Sequence, residues 1–410
     1  MQKLSSTIKE YSIILFFLIK YSYLFLIFLF KILLIFIYLP ASFVLFLLNY
    51  RIVNIYVRRL GHLATDTSLL IKAKEINQDK YKIIVLFESK VAANNHLLKY
   101  LSRDVQFIKN QYLKLIFIPF TWIKYNTLDS NNTTSISSSK LHPILNSWKE
   151  RDPLYSLDSD DREVLETFFK NNFPENKYRF HICLFARESG YSLELEGHDY
   201  DQSYRNIDID SYDLAIAEIQ KRGGICVRLG DKSMKKIENN SFLIDYANSE
   251  YKCPQLDIAL IASSKFVLAS LSGIVDLANL FGVPAAVNNI SPFSHCPIGI
   301  GSNICIPKLY KKDQKLIKIN EIFDSKISNY RYLEDFKKDG ITLINNTQDE
   351  IKDLTIEMFN KLDEERNLND NEENIYSNKF KSMINEQHFS YLCEASVSET
   401  FLSNHKNLLN

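Results

Sequence analysis

The 410-residue sequence has no excess of either charge: 49 Lys and Arg stand against 49 Asp and Glu. A surface that tracks nucleic-acid phosphates usually shows up as a basic surplus, so this balance argues against a general nucleic-acid binder. The six cysteines, Cys183, Cys226, Cys253, Cys296, Cys305 and Cys393, form no CxxC and no zinc-ligand spacing, and read as buried thiols of a reducing compartment. A Walker lysine motif, a GxSxG elbow and a GxGxxG turn are all missing, which removes support for NTPase, α/β-hydrolase and dinucleotide-dehydrogenase chemistry. What is abundant is unevenly spread: 46% of residues are hydrophobic, yet mean hydropathy is only −0.15.

The apolar residues are concentrated at the N-terminus. From Tyr11 to Tyr50 the only charges are Lys20 and Lys31, and this run predicts a membrane segment within residues 1–50. It is too long for a signal-peptide core, which spans about 7–15 residues. As one helix it would reach roughly 60 Å, twice a ~30 Å hydrocarbon core. Lys20 and Lys31 suit snorkelling from a span centred near Phe25, and Pro40 is expected to break or kink the helix before a second piece at 41–48. One span plus an interfacial helix and a two-helix hairpin both fit. Basic residues on both flanks, Lys3 and Lys9 before and Arg51, Arg58 and Arg59 after, lean toward a hairpin with cytoplasmic ends.

Beyond Arg51, short β-branched runs alternate with amphipathic stretches, the pattern of parallel sheets with crossover helices. Expected strands are 52–57, 83–87, 115–119, 179–185, 225–229, 242–246, 266–269, 284–288 and 303–306. Expected helices are 65–76, capped by Thr65 or Asp66, and 212–221, 254–263 and 273–281. The fold class is therefore α/β, with two Rossmann-like domains at 51–175 and 176–345 and a charged helical tail at 346–410. Residues 126–139 read as a surface loop.

Several residues carry candidate chemistry. The first strand leads into RRLGHLATD (58–66), where His62 or Asp66 fits a general base toward a hydroxyl; a turn histidine with a helix-capping aspartate is the alternative. Arg187 follows the next unit's first strand, where a guanidinium suits a diphosphate or a structural ion pair. Arg228 sits at another strand end, as a cleft or a surface residue. Arg205, Asn206 and Asp208 crowd one loop that suits a hydroxyl-rich ligand, or caps the next helix. Ser272 and Gly273 open a helix whose free N–H groups suit a phosphate. Three Asp-x-Asp triplets (158–160, 199–201, 208–210) match a metal-binding pattern, but none directly follows an apolar strand, and an arginine can take a metal's place beside a diphosphate.

In combination, RRLGHLATD (58–66), CLFARESGY (183–191), SYRNIDIDSY (203–212), VRLGD (227–231) and the stretch 257–289 resemble the bacterial glycosyltransferases of surface-polysaccharide gene clusters, with their Arg-x-Gly-His-Leu and Arg-Asn-x-Asp-Ile motifs. Where that family more usually has His-x-Arg-Asp, this chain has Phe185 and Glu188 around Arg187. The resemblance implies a GT-B arrangement and a metal-independent, inverting glycosyltransferase with no cofactor beyond its nucleotide-sugar co-substrate. It also implies Arg187, Ser272 and Gly273 on the donor, where Arg228 is expected from its strand-end position, and a glycan or lipid-linked glycan acceptor facing His62. The membrane segment then suggests the bacterial inner membrane, with the catalytic part cytoplasmic. A nucleotide-sugar epimerase of the same fold and a non-catalytic scaffold of a polysaccharide assembly complex are the alternatives.

Overall fold

The computed structural model describes residues 2–87, 91–123, 141–173, 178–188, 203–367 and 374–409, the side chains of 2–18 and 364–367 excepted. The loop 126–139 and the Asp-x-Asp triplet at 199–201 lie outside them. The structure has two compact units.

The first unit comprises residues 1–55, 79–90 and 104–130. Helix α1 (Gln2–Leu47) is a single helix with Pro40 inside it, so neither the break nor the hairpin forms. Asn49, at φ +60, then turns the chain into the sheet. Strands β1 (Tyr50–Ile55), β2 (Lys82–Phe87) and β3 (Val105–Ile108) make a parallel sheet in the order β1-β2-β3. The expected strand at 115–119 is instead helical: α4 (Gln111–Phe117) starts where the Asn110 side chain accepts hydrogen bonds from two backbone N–H groups, and a 3₁₀ turn follows at Ile118–Trp122. A five-residue apolar run has no period that separates strand from helix, and the strand that forms is the shorter β3. Ile52, Ile84, Leu86 and Phe120 form this unit's core, with Tyr38, Leu45 and Phe117 packed against it.

The second unit comprises residues 56–78, 91–103 and 131–410. A small antiparallel sheet holds β10 (Leu309–Lys312), β11 (Lys315–Leu316) and β12 (Ile341–Ile344), and the larger sheet has seven parallel strands, ordered β13-β9-β8-β7-β4-β5-β6. These are β4 (Phe180–Phe185), β5 (Gly224–Arg228), β6 (Leu243–Ile244), β7 (Val267–Ser270), β8 (Ala285–Ile290), β9 (Ile304–Pro307) and β13 (Ser396–Val397). Chain order runs from β4 out to β6, then returns through β7 to β9 on the other side. This is the doubly wound topology, whose switch point lies between β4 and β7 and whose crevice opens at their carboxyl ends.

The central strands are buried on both faces, as their near-continuous apolar sequences require. Gly223, at φ +81, ends the helix α7 (Asp213–Lys221) and admits the chain to β5. Around the site lie α2 (Leu60–Ile76), α8 (Pro254–Ala262) and α9 (Gly273–Leu280). The C-terminal region is helical in part, with α12 (Gln348–Asn367) placing Phe359 against Phe180 and Phe266.

Candidate active site

Helix α2 begins five residues before the expected cap. Its N-cap is Arg59, extended at φ −106 and ψ 125. His62 is thus the third helical residue, and Thr65 and Asp66 are interior positions, not caps. One turn separates His62 from Asp66, so both face the same way: Nδ1 of the imidazole lies 3.2 Å from Oδ2 of the carboxylate.

The starts of α2 and α9 meet backbone to backbone. A methyl group on Gly61 would come within 2.5 Å of Asp276 Oδ2 and 3.0 Å of the Gly273 α-carbon, and one on Gly273 would strike the Gly61 nitrogen. Only glycine at both places allows the approach. Two helix N-termini therefore converge, and their positive ends add. Asp276 stands between them, close enough to His62 and Thr65 to interact with both.

The carboxyls in this position titrate abnormally. Burial pushes Asp66 up to about 6, against the opposing pull of its bond to His62, and Asp276 adds to the rise. Burial also raises Asp276, opposed by Thr65, His62 and Arg205. For His62, burial works against the charged form, but the hydrogen bond and charge of Asp66 outweigh it, and the imidazole sits above its usual value. A base tuned toward neutrality is what proton abstraction from a hydroxyl requires.

The carboxyl ends of β4 and β7 are tied at the switch point: the backbone N–H of Arg187 donates to Ser270 Oγ at 2.9 Å. The loop containing Arg205 lies across them, with Ile207 N donating to Arg187 O and Arg205 Nη2 donating to Leu271 O at 2.9 Å. Arg59 and Arg331 press their charges on Arg205, and Arg205, Arg187 and Arg331 surround Tyr204. Lys308 is buried, donates to the Asn206 carbonyl and to Asn345, and is lowered to about 8 by burial and then by Arg205. Ser272 is the N-cap of α9 at extended φ and ψ, and its buried hydroxyl has no hydrogen-bond partner among the described residues. Cations, a helix start and an uncommitted hydroxyl form an anion cradle.

The expected site residues thus separate. His62, Asp66, Arg187, Arg205, Ser272 and Gly273 come together, and Asn206 joins through its backbone. Arg228 does not: it is fully buried, with Nη1 on Asp245 (2.9 Å) and the Lys235 carbonyl, and Nη2 on Glu188 (2.8 Å). It holds the β5 end in place, and Glu188 is its ion-pair partner. Asp208 is exposed, caps the turn at 209–212, and pairs with Lys235 at 3.5 Å.

Sequence reasoning missed Arg59, Lys308 and Arg331 as members of the cluster. Arg59 was signalled by its place in the Arg-x-Gly-His-Leu motif, whereas Lys308 and Arg331 had no local signal. Among the described residues, no group of three or more His, Cys, Asp or Glu side chains is arranged to hold a metal ion.

No protein-family profile and no curated protein matches the chain. Solved structures similar to it include the E. coli ADP-heptose LPS heptosyltransferase II, with 13% identity and a TM-score of 0.40 over 63% of this chain and 90% of that one. A family 9 glycosyl transferase from Veillonella parvula aligns at 10% identity and a TM-score of 0.38, over 63% and 86%. TibC, an iron-containing dodecameric glycosyltransferase from enterotoxigenic E. coli, aligns at 13% identity and a TM-score of 0.39, over 78% and 76%. At these values the likeness carries no argument about chemistry, which rests on the residues of the site.

Proposed function

We propose that the chain is a membrane-tethered glycosyltransferase of GT-B arrangement. It transfers a sugar from a nucleotide-sugar donor to a glycan or lipid-linked glycan at the cytoplasmic face of a bacterial inner membrane. The observation that carries this reading is the pairing of a raised carboxylate–imidazole dyad with a cluster of arginines at two abutting helix starts. One half suits a hydroxyl to be deprotonated, the other a diphosphate leaving group.

The chemistry is a single displacement. The acceptor hydroxyl oxygen attacks the anomeric carbon of the donor, and its proton passes to Asp66 or His62. The bond from that carbon to the diphosphate oxygen breaks, and its electron pair leaves with the diphosphate. Arg187, Arg205 and Arg59 hold the negative charge, together with the α9 start at Ser272 and Gly273. Positive charge from the chain itself supports a metal-independent reaction, and one displacement inverts the anomeric centre. Helix α1 keeps the enzyme where a lipid-linked acceptor resides.

The test is a thermal-shift screen of the full-length chain against ADP, UDP, GDP, dTDP and CMP, each well above a dissociation constant. A rise in melting temperature with one nucleotide, lost in Arg205→Ala, is expected. No shift with any of them would sink the donor site and leave the scaffold reading.

A further inference from the structure

We propose that residues 111–122 are a second bilayer-contacting element, lying beside α1 in the headgroup region of an anionic membrane. The inference rests on the reading of α1 as the membrane anchor.

Helix α4 has no buried residue. Four of its seven positions are large exposed apolar side chains: Tyr112 (81% exposed), Leu113, Leu115 (65%) and Ile116. At its end Phe117 packs on the unit's core, which Tyr38 and Leu45 of α1 also cover. The chain then runs back along α1. Phe120 meets the Tyr38 ring edge-on at 5.0 Å, and Trp122 lies under the Lys31 ammonium at 5.5 Å. From Tyr38 to Lys31 this covers seven residue steps of α1, about 10 Å.

Helix α1 is itself two-faced along this stretch. Leu34, Ile35, Tyr38, Ser42 and Leu45 are covered at helical spacing, while Leu33, Phe36, Ile37, Phe43, Val44 and Leu47 are exposed. Helices α4 and α1 thus both carry exposed apolar surface within one unit. Within α1, Ile19–Leu47 is long and apolar enough to cross a membrane, with none of its apolar window buried, and a span centred near Phe25 leaves Lys31 at the interface.

Lipid is the occupant this surface fits. Isolated exposed leucines are ordinary, but a helix with four of seven positions apolar and bare is an aggregation hazard in water and an anchor at a bilayer. Its chemistry is interfacial: Tyr112 and Trp122 have the amphipathic rings of a headgroup belt, and Lys31, Lys109 and Lys114 supply cations for anionic lipid.

The chain has two tryptophans, Trp122 and Trp148, which makes the test direct. Trp148→Phe leaves Trp122 as sole reporter. Leu115→Trp in a Trp122→Phe, Trp148→Phe background places a reporter on α4 itself. Full-length protein is reconstituted into phosphatidylcholine–phosphatidylglycerol vesicles, with phosphatidylcholine either unbrominated or brominated near the headgroup or deep in the chain. Flotation is measured on the same samples.

The expected result is co-flotation, with both reporters losing emission to the shallow brominated lipid more than to the deep one. The doubly substituted Tyr112→Glu, Leu115→Glu chain carrying Trp148→Phe should still float while losing the Trp122 quenching. A floating chain whose Leu115→Trp reporter is unquenched overturns the inference, leaves the anchor reading standing and assigns this face to a protein partner. A chain that does not float overturns both.

Discussion

A methyl group on Gly273 would strike the backbone nitrogen of Gly61, two residues more than two hundred positions apart in the chain. This contact sets the distance between the helix bearing His62 and Asp66 and the helix start bearing Ser272. Gly273→Ala should destabilise the protein by about 1–3 kcal/mol, the usual cost of overpacking a close contact. It should also weaken nucleotide binding. Urea unfolding and the nucleotide thermal shift check this, and an unchanged midpoint would mean the two helices separate without cost.

The dyad makes a pH prediction. Asp66 has a folded pKa of about 6 against an ordinary 3.8, so between those values the folded chain holds this proton more tightly than the unfolded one. Stability from this group falls as pH rises through that window, by at most about 3 kcal/mol. His62, also raised, contributes stability below its unfolded value of 6.5 that is lost as pH rises through its folded pKa. The two act in the same direction. Unfolding free energies at pH 5 and pH 8 should differ less in Asp66→Asn than in the native chain. If Asp66 is the base, the acid limb of turnover should lie near pH 6 and vanish in that variant; a limb near pH 4 would remove Asp66 from the role.

Lys72 gives the opposite sign. It is buried beside the Trp148 ring, and burial lowers it from 10.5 to about 8. The unfolded chain binds its proton more tightly, so native stability should rise between about pH 8 and pH 10.5. Lys72→Met should gain about 1–3 kcal/mol at pH 7 and show a flatter profile in that range. Denaturant unfolding at pH 7 and pH 9.5 measures both effects, and a less stable Lys72→Met chain would show that the contact with Trp148 outweighs burial of the charge.

Arg228 and Arg205 should separate in their consequences. Arg228→Ala leaves Glu188 and Asp245 without their cation and should cost about 3–5 kcal/mol of folding stability. Arg205→Ala should leave the fold nearly intact and lower nucleotide affinity by about tenfold or more, as loss of a charge-assisted contact does. Melting curves with and without nucleotide distinguish the two. Equal loss of stability in both would place Arg205 in the framework instead of the site.

Much of this protein follows from its sequence alone. Apolar runs with β-branched residues located most of the strands, because a strand buried on both faces has to be continuously apolar. The N-terminal segment was legible because nothing but a long helix uses so many apolar residues in a row. The candidate pair was legible because His62 and Asp66 stand four residues apart in one short segment, although the sequence put His62 in the turn before the helix and only the structure puts both inside it. The strand expected at 115–119 failed because a short apolar run has no period that separates strand from helix, and the Asn110 cap decided for the helix.

Other features depended on tertiary structure. Arg187, Arg205 and Arg228 look alike in sequence, each at a strand end or in a polar loop. The first two come together beside Leu271 and Tyr204, while the third is enclosed by Glu188 and Asp245. The Gly61–Gly273 contact, and the recruitment of Arg331 and Lys308, join segments far apart in the chain. Proximity of that kind comes from how sheet and helices close on one another, and no local pattern encodes it.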